Sequence, residues 1–333
     1  MTRPFLFAAA VIATISQSHS AISINGSGAT FPAPLYMRWA SDFQKINPDM
    51  TVNYQGVGSG AGVKSFLDSI TDFGASDVAM TDEEIAKANG DVLMLPASAG
   101  TIVLAYNVPG LQAGIKLSRE AYVGVLLGAV KNWNDPLIAK ENAGITLPDL
   151  PITVVTRSDG SGTTAVFTDH LSAVSPEFRE KVGSGKSVTW PSGVAGKGND
   201  GVTALIRQTP GAIGYVEYGF AVNNKLTSAT LQNKSGNFVV PSIESGAATL
   251  ASVTLPENLR AFIKDPEGSN DYPIATFTWL LVHKIYPAEK AAALKAFINY
   301  GLTKGQEVAP ELGYIKLPES VVVRVRTALE GVR

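Results

Sequence analysis

Apolar positions along this chain fall into two alternating periods, separated by glycine-rich turns. Runs such as "TVNYQGV" (51–57), "ITVVT" (152–156) and "TFTWLLV" (276–282) read as strands. Other segments repeat at helical spacing: Leu35, Trp39, Phe43 and Ile46; Val63, Phe66, Leu67 and Ile70; Val166, Phe167 and Leu171. Towards the end, Leu294, Phe297 and Ile298 form one such face, and Val321, Val325, Leu329 and Val332 another. Strand and helix in turn predict an α/β protein on largely parallel sheets.

Four of the turns feed helices and carry small or hydroxyl residues. "NGSGATFPAP" places Thr30 and Phe31 just before a helix that Pro32 and Pro34 introduce, and "GSGAGV" places Ser59 at the start of the next. In "DFGASDVAMTDEE" a short strand ends at Asp77, and Thr81 with Glu84 three residues on reads as a capping box. "TRSDGSGTT" (156–164) then carries Arg157, Asp159, Ser161, Gly162 and Thr163 from a strand into a helix. Helix N-termini present unpaired N–H groups and a positive dipole end, so four such turns suggest convergence on one anion. For each turn taken singly, helix capping accounts for the same residues.

Composition narrows the setting. A chain of 333 residues favours two lobes over one core, and 45% hydrophobic with 17% charged residues is ordinary globular usage. The opening "MTRPFLFAAAVIATISQSHS" has the layout of an export signal peptide over residues 1–20, with cleavage near residue 20 or 21. No later run reaches the roughly 18 apolar residues of a membrane helix. The chain has no cysteine, hence no disulfide framework and no thiol for a lipid anchor. A periplasmic location fits. The net charge of −2 argues against nucleic acid as a partner.

Catalytic motifs do not assemble. "GSGKS" (183–187) has Glu180 where a P-loop requires its first glycine, and "GVGSGAG" misses the last glycine of the dinucleotide fingerprint. Neither Ser59 nor Ser161 has the flanking glycines of a nucleophile elbow. Beyond the leader the histidines are His170, inside a helical segment, and His283, beside a strand, both read as structural or surface residues. With no cysteine they leave little for a transition metal.

A receptor for a small tetrahedral anion is the alternative. Burying a charge without donors is very costly, so such a site needs directed N–H and O–H groups. Arg157 is the formal positive charge among the four turns, and its planar fork can grip two oxygens; Asp159 could hold that fork. Ser161, Gly162 and Thr163 would donate from one side, Thr30, Phe31 and Ser59 from the other, the Phe31 ring covering the site. Asp77 is then the discriminating residue. An ionised carboxylate only accepts, so it suits an anion that still carries a proton, phosphate, and rejects sulfate or molybdate. An exported phosphatase, the other alternative, would need a base or a metal.

At these residues the sequence resembles the periplasmic phosphate-binding proteins of high-affinity phosphate ABC transporters. The resemblance runs through "GSGATFPAPLY", "VNYQGVGSGAGVK", "DFGASD", "TRSDGSGTT", "SGVAGKGNDG", "PGAIGYVEY" and "LPESVV". It implies a two-lobe binding protein of type II, each lobe a mixed sheet flanked by helices with the ligand in the cleft between them. Lobe I would comprise 21–99 plus 275–333 and lobe II 104–270, with hinge crossings near 100–103 and 271–274. It further implies phosphate contacts at Thr30, Phe31, Ser59, Asp77, Arg157, Ser161, Gly162 and Thr163, with Asp159 as the partner of the arginine. The protein would be a monomer without a cofactor or catalytic activity, delivering phosphate to the transporter's membrane permease subunits. Gly60 departs from relatives that carry a second serine there, which should affect only the packing or capping of that turn.

Overall fold

The computed structural model describes residues 21–111 and 114–333, so the predicted leader lies outside the described residues. The first lobe's sheet grows from three parallel strands, β1 (Ile22–Gly28), β2 (Met50–Gly56) and β3 (Phe73–Ser76), with β1 between the other two. Each is followed by a helix: α1 (Ala33–Ile46), α2 (Ser59–Leu67) and, after a short loop, α3 (Asp82–Lys87). The turns that precede these helices therefore gather at the carboxyl edge of the sheet, where parallel α/β sheets bind ligands.

The long strand β4 (Leu93–Asn107) ties two sheets together. Its first part pairs antiparallel with β8 (Ala275–Val282), Thr101 opposite Ala275, and β8 in turn pairs with β3. Its second part pairs antiparallel with β7 (Ala212–Glu217), beyond which β5 (Thr153–Arg157) and β6 (Val194–Gly196) continue in parallel. Helix α4 (Gly162–Val174) follows β5, and α5 (Gly198–Gln208) follows β6. Both sheets are mixed, as the sequence resemblance implies. The segments near 100–103 and 271–274 run side by side, with the Ile102 N–H donating to Ile274 O at 2.9 Å.

The C-terminal helices α6 (Ala288–Gly301) and α7 (Glu319–Leu329) do not start a core of their own. Phe297 of α6 packs edge-on against Phe43 of α1 at 5.6 Å between ring centroids, and the Trp39 indole N–H donates to Gly305 O at 2.9 Å. Leu294, Phe297, Val325 and Leu329 are buried. A single helix cannot bury an apolar stripe by itself, so the chain's end must return to its beginning.

Two expected apolar faces are shorter than their periodicity suggests. Ile46 is the last residue of α1 and is exposed. Helix α2 stops at Leu67, Ser69 adopts a left-handed φ of 52°, and the chain turns so that Ile70 points to solvent. The two histidines are structural. His170 is buried, its ring nitrogens within hydrogen-bond distance of Tyr122 Oη (3.1 Å) and Lys264 O (2.8 Å), and burial pushes its pKa down to about 4. His283 stacks on Phe66 at 4.2 Å.

Candidate functional site

The strand ends and helix starts bring Thr30, Ser59, Asp77, Arg157, Ser161, Gly162 and Thr163 into one buried cluster. Arg157 is the last residue of β5, and its side chain is 1% exposed. Its Nε and Nη2 donate to the two carboxylate oxygens of Asp159 at 2.8 and 2.6 Å, and Nη1 donates to Thr163 Oγ1 at 3.3 Å. A guanidinium has five N–H groups, so these contacts leave one on each terminal nitrogen to grip an oxyanion. Asp159 also accepts from the Gly198 N–H at 2.9 Å. Burial works to raise the Asp159 pKa, but the Arg157 hydrogen bonds and charge bring it below the usual carboxylate range.

Hydroxyl groups around the cluster are oriented by the bonds they accept. Thr30 Oγ1 accepts from the backbone N–H and the side-chain amide of Asn199, at 3.1 and 3.0 Å. Ser161 caps α4 by accepting from the Thr164 N–H at 3.0 Å. Thr163 Oγ1 accepts from Arg157 and, at 3.5 Å, from Asn199. A hydroxyl with its lone pairs engaged directs its own hydrogen elsewhere, so all three remain available as donors. Phe31 is buried, but its ring lies against Tyr314 and beside Gly100 at the chain crossing, and its carbonyl accepts from Tyr314 Oη at 2.6 Å.

Asp77 follows β3 and is 1% exposed. Thr278 Oγ1 donates to its Oδ1 at 3.0 Å, Ser59 Oγ donates to Oδ2 at 3.5 Å, and the Asp77 N–H donates to Ser59 Oγ at 3.2 Å. Burial pushes its pKa up to about 7, against the lowering effects of the Thr278 bond, the Arg157 charge and the Ser59 bond. Gly162 permits the two halves to meet here: a Cβ at that position would lie 2.4 Å from Ser59 Oγ and 2.9 Å from the Asp77 backbone N. Gly58 has a φ of 95°, and a Cβ there would lie 2.3 Å from Asp159 Oδ2.

The model of the PBP superfamily domain matches residues 14–304. The phosphate-binding protein PstS of Pasteurella multocida is 42% identical over 332 residues, covering 98% of this chain and 95% of that protein. The chain belongs to the PstS family of phosphate-binding proteins. PstS of Methanocaldococcus jannaschii is 41% identical over 334 residues, 92% of this chain and 85% of that one. Among solved structures, a high-affinity periplasmic phosphate-binding protein, PfluDING, bound with phosphate, superposes with a TM-score of 0.76 at 23% identity, covering 92% of this chain and 93% of that one. A phosphate-binding protein from Stenotrophomonas maltophilia gives 0.75 at 21% identity, with 92% and 94% covered. These structures establish the two-lobe α/β fold.

Several contributors to the cluster of this PstS-family chain escape sequence reasoning. Asn199, in the motif "GKGNDG", links Thr30 to Thr163 and accepts from the Glu217 N–H at 2.9 Å. Tyr215 Oη is 2.7 Å from Thr164 Oγ1 and accepts from the Arg157 N–H at 3.2 Å. Thr276 and Thr278 reach Asp77 from β8. Glu217 is fully buried, with its Oε1 unpartnered, and burial raises its pKa well above the usual carboxylate range. Gly60 reaches beyond its own turn, donating its N–H to Gly160 O at 2.8 Å. On the far side of Asp77 lies a cavity of about 430 Å³ walled by Val78, Ala79, Val166 and Phe262. Asp77 and Thr276 line it as well, whereas Arg157 and the Thr30, Ser59, Ser161 and Thr163 hydroxyls do not. At its rim Lys186, whose carbonyl accepts from the Ser161 N–H, forms an ion pair with Glu84 at 2.5 Å.

Proposed function

We propose that this chain is a solute-binding protein that captures inorganic phosphate between two lobes and hands it to the permease of a phosphate ABC transporter. Family membership supports the transport role. The observation that carries the ligand is that the buried Arg157 guanidinium and the buried Asp77 carboxylate belong to one polar cluster. Arg157, the Thr30, Ser161 and Thr163 hydroxyls and the N–H groups of Phe31, Gly162 and Thr163 supply donors to the phosphoryl oxygens, and the Ser59 hydroxyl joins them by turning from its long contact with Asp77 Oδ2. Asp159 holds the guanidinium in position. Asp77, ionised at pH 8, accepts the proton that phosphate still carries; sulfate has none to give and meets an unpaired acceptor.

The lobes are residues 21–99 plus 275–333 and 104–270, and they pivot about the paired crossings near 100–103 and 271–274. The mature protein is a periplasmic monomer, released from its leader near residue 20 or 21, and needs no cofactor. Among the described residues, no helix is long and apolar enough to cross a membrane. The protein binds and does not turn its ligand over. Equilibrium dialysis of labelled phosphate against competing anions, with phosphate-ester hydrolysis followed in parallel, tests this: saturable retention without hydrolysis is expected. Turnover of an ester, or retention lost equally to sulfate and to unlabelled phosphate, contradicts it.

A further inference from the structure

Thr278 stands 201 residues from Asp77 and meets it side chain to side chain. Both residues are buried, and Thr278 is fully so. Thr276 and Thr278 lie two apart on β8 and so share a face of the sheet. They do different things there. Thr276 Oγ1 lies 3.0 Å from the Asp77 carbonyl and donates to the backbone, whereas Thr278 Oγ1 donates to the carboxylate itself at 3.0 Å. The register of β8 on β4 shifts between Thr278 and Trp279, an irregularity of the kind that re-aims a side chain beside a functional site.

We propose that Thr278 is a specificity-determining positioning residue: its single O–H occupies Asp77 Oδ1 at 3.0 Å and leaves Oδ2, to which Ser59 makes only a long 3.5 Å contact, as the acceptor that tests the anion for a proton. This rests on the phosphate-binding reading of the same site and names the residue that sets its selectivity. A hydroxyl has one hydrogen, and the Ser76 carbonyl at 3.5 Å is the poorer acceptor. The Tyr36 hydroxyl is buried beside Thr278 and has a hydrogen of its own, so it can donate to Thr278 Oγ1 while Thr278 donates to the carboxylate.

The same bond holds Asp77 in its accepting form. Other charged or titratable groups face this carboxyl: Arg157 favours ionisation, Asp159 and Glu217 oppose it, and Tyr36, Tyr54 and Tyr314 stand buried around it. Among the groups that favour ionisation, Thr278 contributes most. Without it the carboxyl holds its proton to higher pH, becomes a donor, and no longer distinguishes sulfate from phosphate.

The test is a titration of phosphate and of sulfate, from pH 5 to pH 9, into the parent protein, Thr278→Val and Thr278→Ser. Thr278→Val keeps the branched shape and loses the hydroxyl. It is expected to bind phosphate about 10- to 100-fold more weakly at pH 8, the range for a lost hydrogen bond to a charged group. Its preference for phosphate over sulfate should fall at least as far, and the pH at which that preference appears should move upward. Thr278→Ser restores all three. If Thr278→Val does not fold, Thr278→Cys, with a weak S–H donor, carries the same expectation. A folded Thr278→Val or Thr278→Cys with the parental anion preference and pH profile overturns the inference. Failure of the parent itself to bind phosphate overturns the functional reading instead.

Discussion

Replacing Asp77 with asparagine separates the cost of holding a charge in this site from the use the site makes of it. Burial raises the Asp77 pKa from 3.8 to about 7. At about 1.36 kcal/mol per unit, a shift of roughly three units destabilises the protein by about 4 kcal/mol at pH 8 when no anion is supplied. The sign follows from the direction of the shift. A carboxyl with a raised native pKa binds its proton more tightly folded than unfolded, so its stabilising effect is complete below pH ~3.8 and is lost as pH rises through 7. The amide of Asp77→Asn keeps an acceptor for Thr278 and carries no charge to desolvate. In phosphate-free buffer at pH 8 the variant should therefore be more stable than the parent by about 2–4 kcal/mol, seen as a rise of several degrees in Tm. On acidification to pH 5 the parent's Asp77 protonates in the folded state, and the gap should narrow by about 2–3 kcal/mol. Thermal melts at pH 8, 6.5 and 5 decide the matter. A variant no more stable than the parent at pH 8, or a gap that stays constant with pH, refutes the account of Asp77 as a strained buried charge.

Three further outcomes are expected. Arg157→Ala leaves the part-buried Asp159 without its partner and removes the fork from the anion, so phosphate binding should weaken by about 3–5 kcal/mol in calorimetry; near-parental affinity would remove Arg157 from the site. Gly162→Ala introduces a Cβ that meets Ser59 Oγ at 2.4 Å, and the forced separation should weaken phosphate binding by about 1–3 kcal/mol, which an unchanged titration would contradict. Lys186→Met breaks the pair with Glu84 at the rim, both side chains being about one-fifth exposed. Phosphate release followed by stopped-flow fluorescence should quicken by about fivefold at low salt, the equivalent of about 1 kcal/mol. It should quicken less at high salt; a rate equal to the parent's at low salt would show that the pair plays no part in holding the site shut.

What could be read from the sequence was local. Arg157 and Asp159 are two residues apart, Thr81 and Glu84 three, and the glycine-rich turns lie directly before their helices, so short-range pattern was enough to propose them. The parallel strands with helices between them followed for the same reason. Thr278 and Asn199 reach Asp77 and Thr30 across 201 and 169 residues, and nothing within a short window marks a threonine in a strand as a partner for a carboxylate. Glu217 stands in "PGAIGYVEY" with no local mark of burial; it pairs with Ile102 across β4 and β7, a register that periodicity does not supply. Ile70 failed in the opposite sense: helical spacing continued past the point where Ser69 turns the chain. Gly60 looked like a change within one turn because its contact with Gly160 forms only when the two loops face each other.

The proposed function turns on an anion that has a proton to give to Asp77. Calorimetric titration of the purified protein at pH 8, with phosphate and with sulfate in separate runs, tests it most directly. Saturable heat of binding with phosphate and none with sulfate at the same concentrations is the predicted result; sulfate binding comparable to phosphate would contradict it.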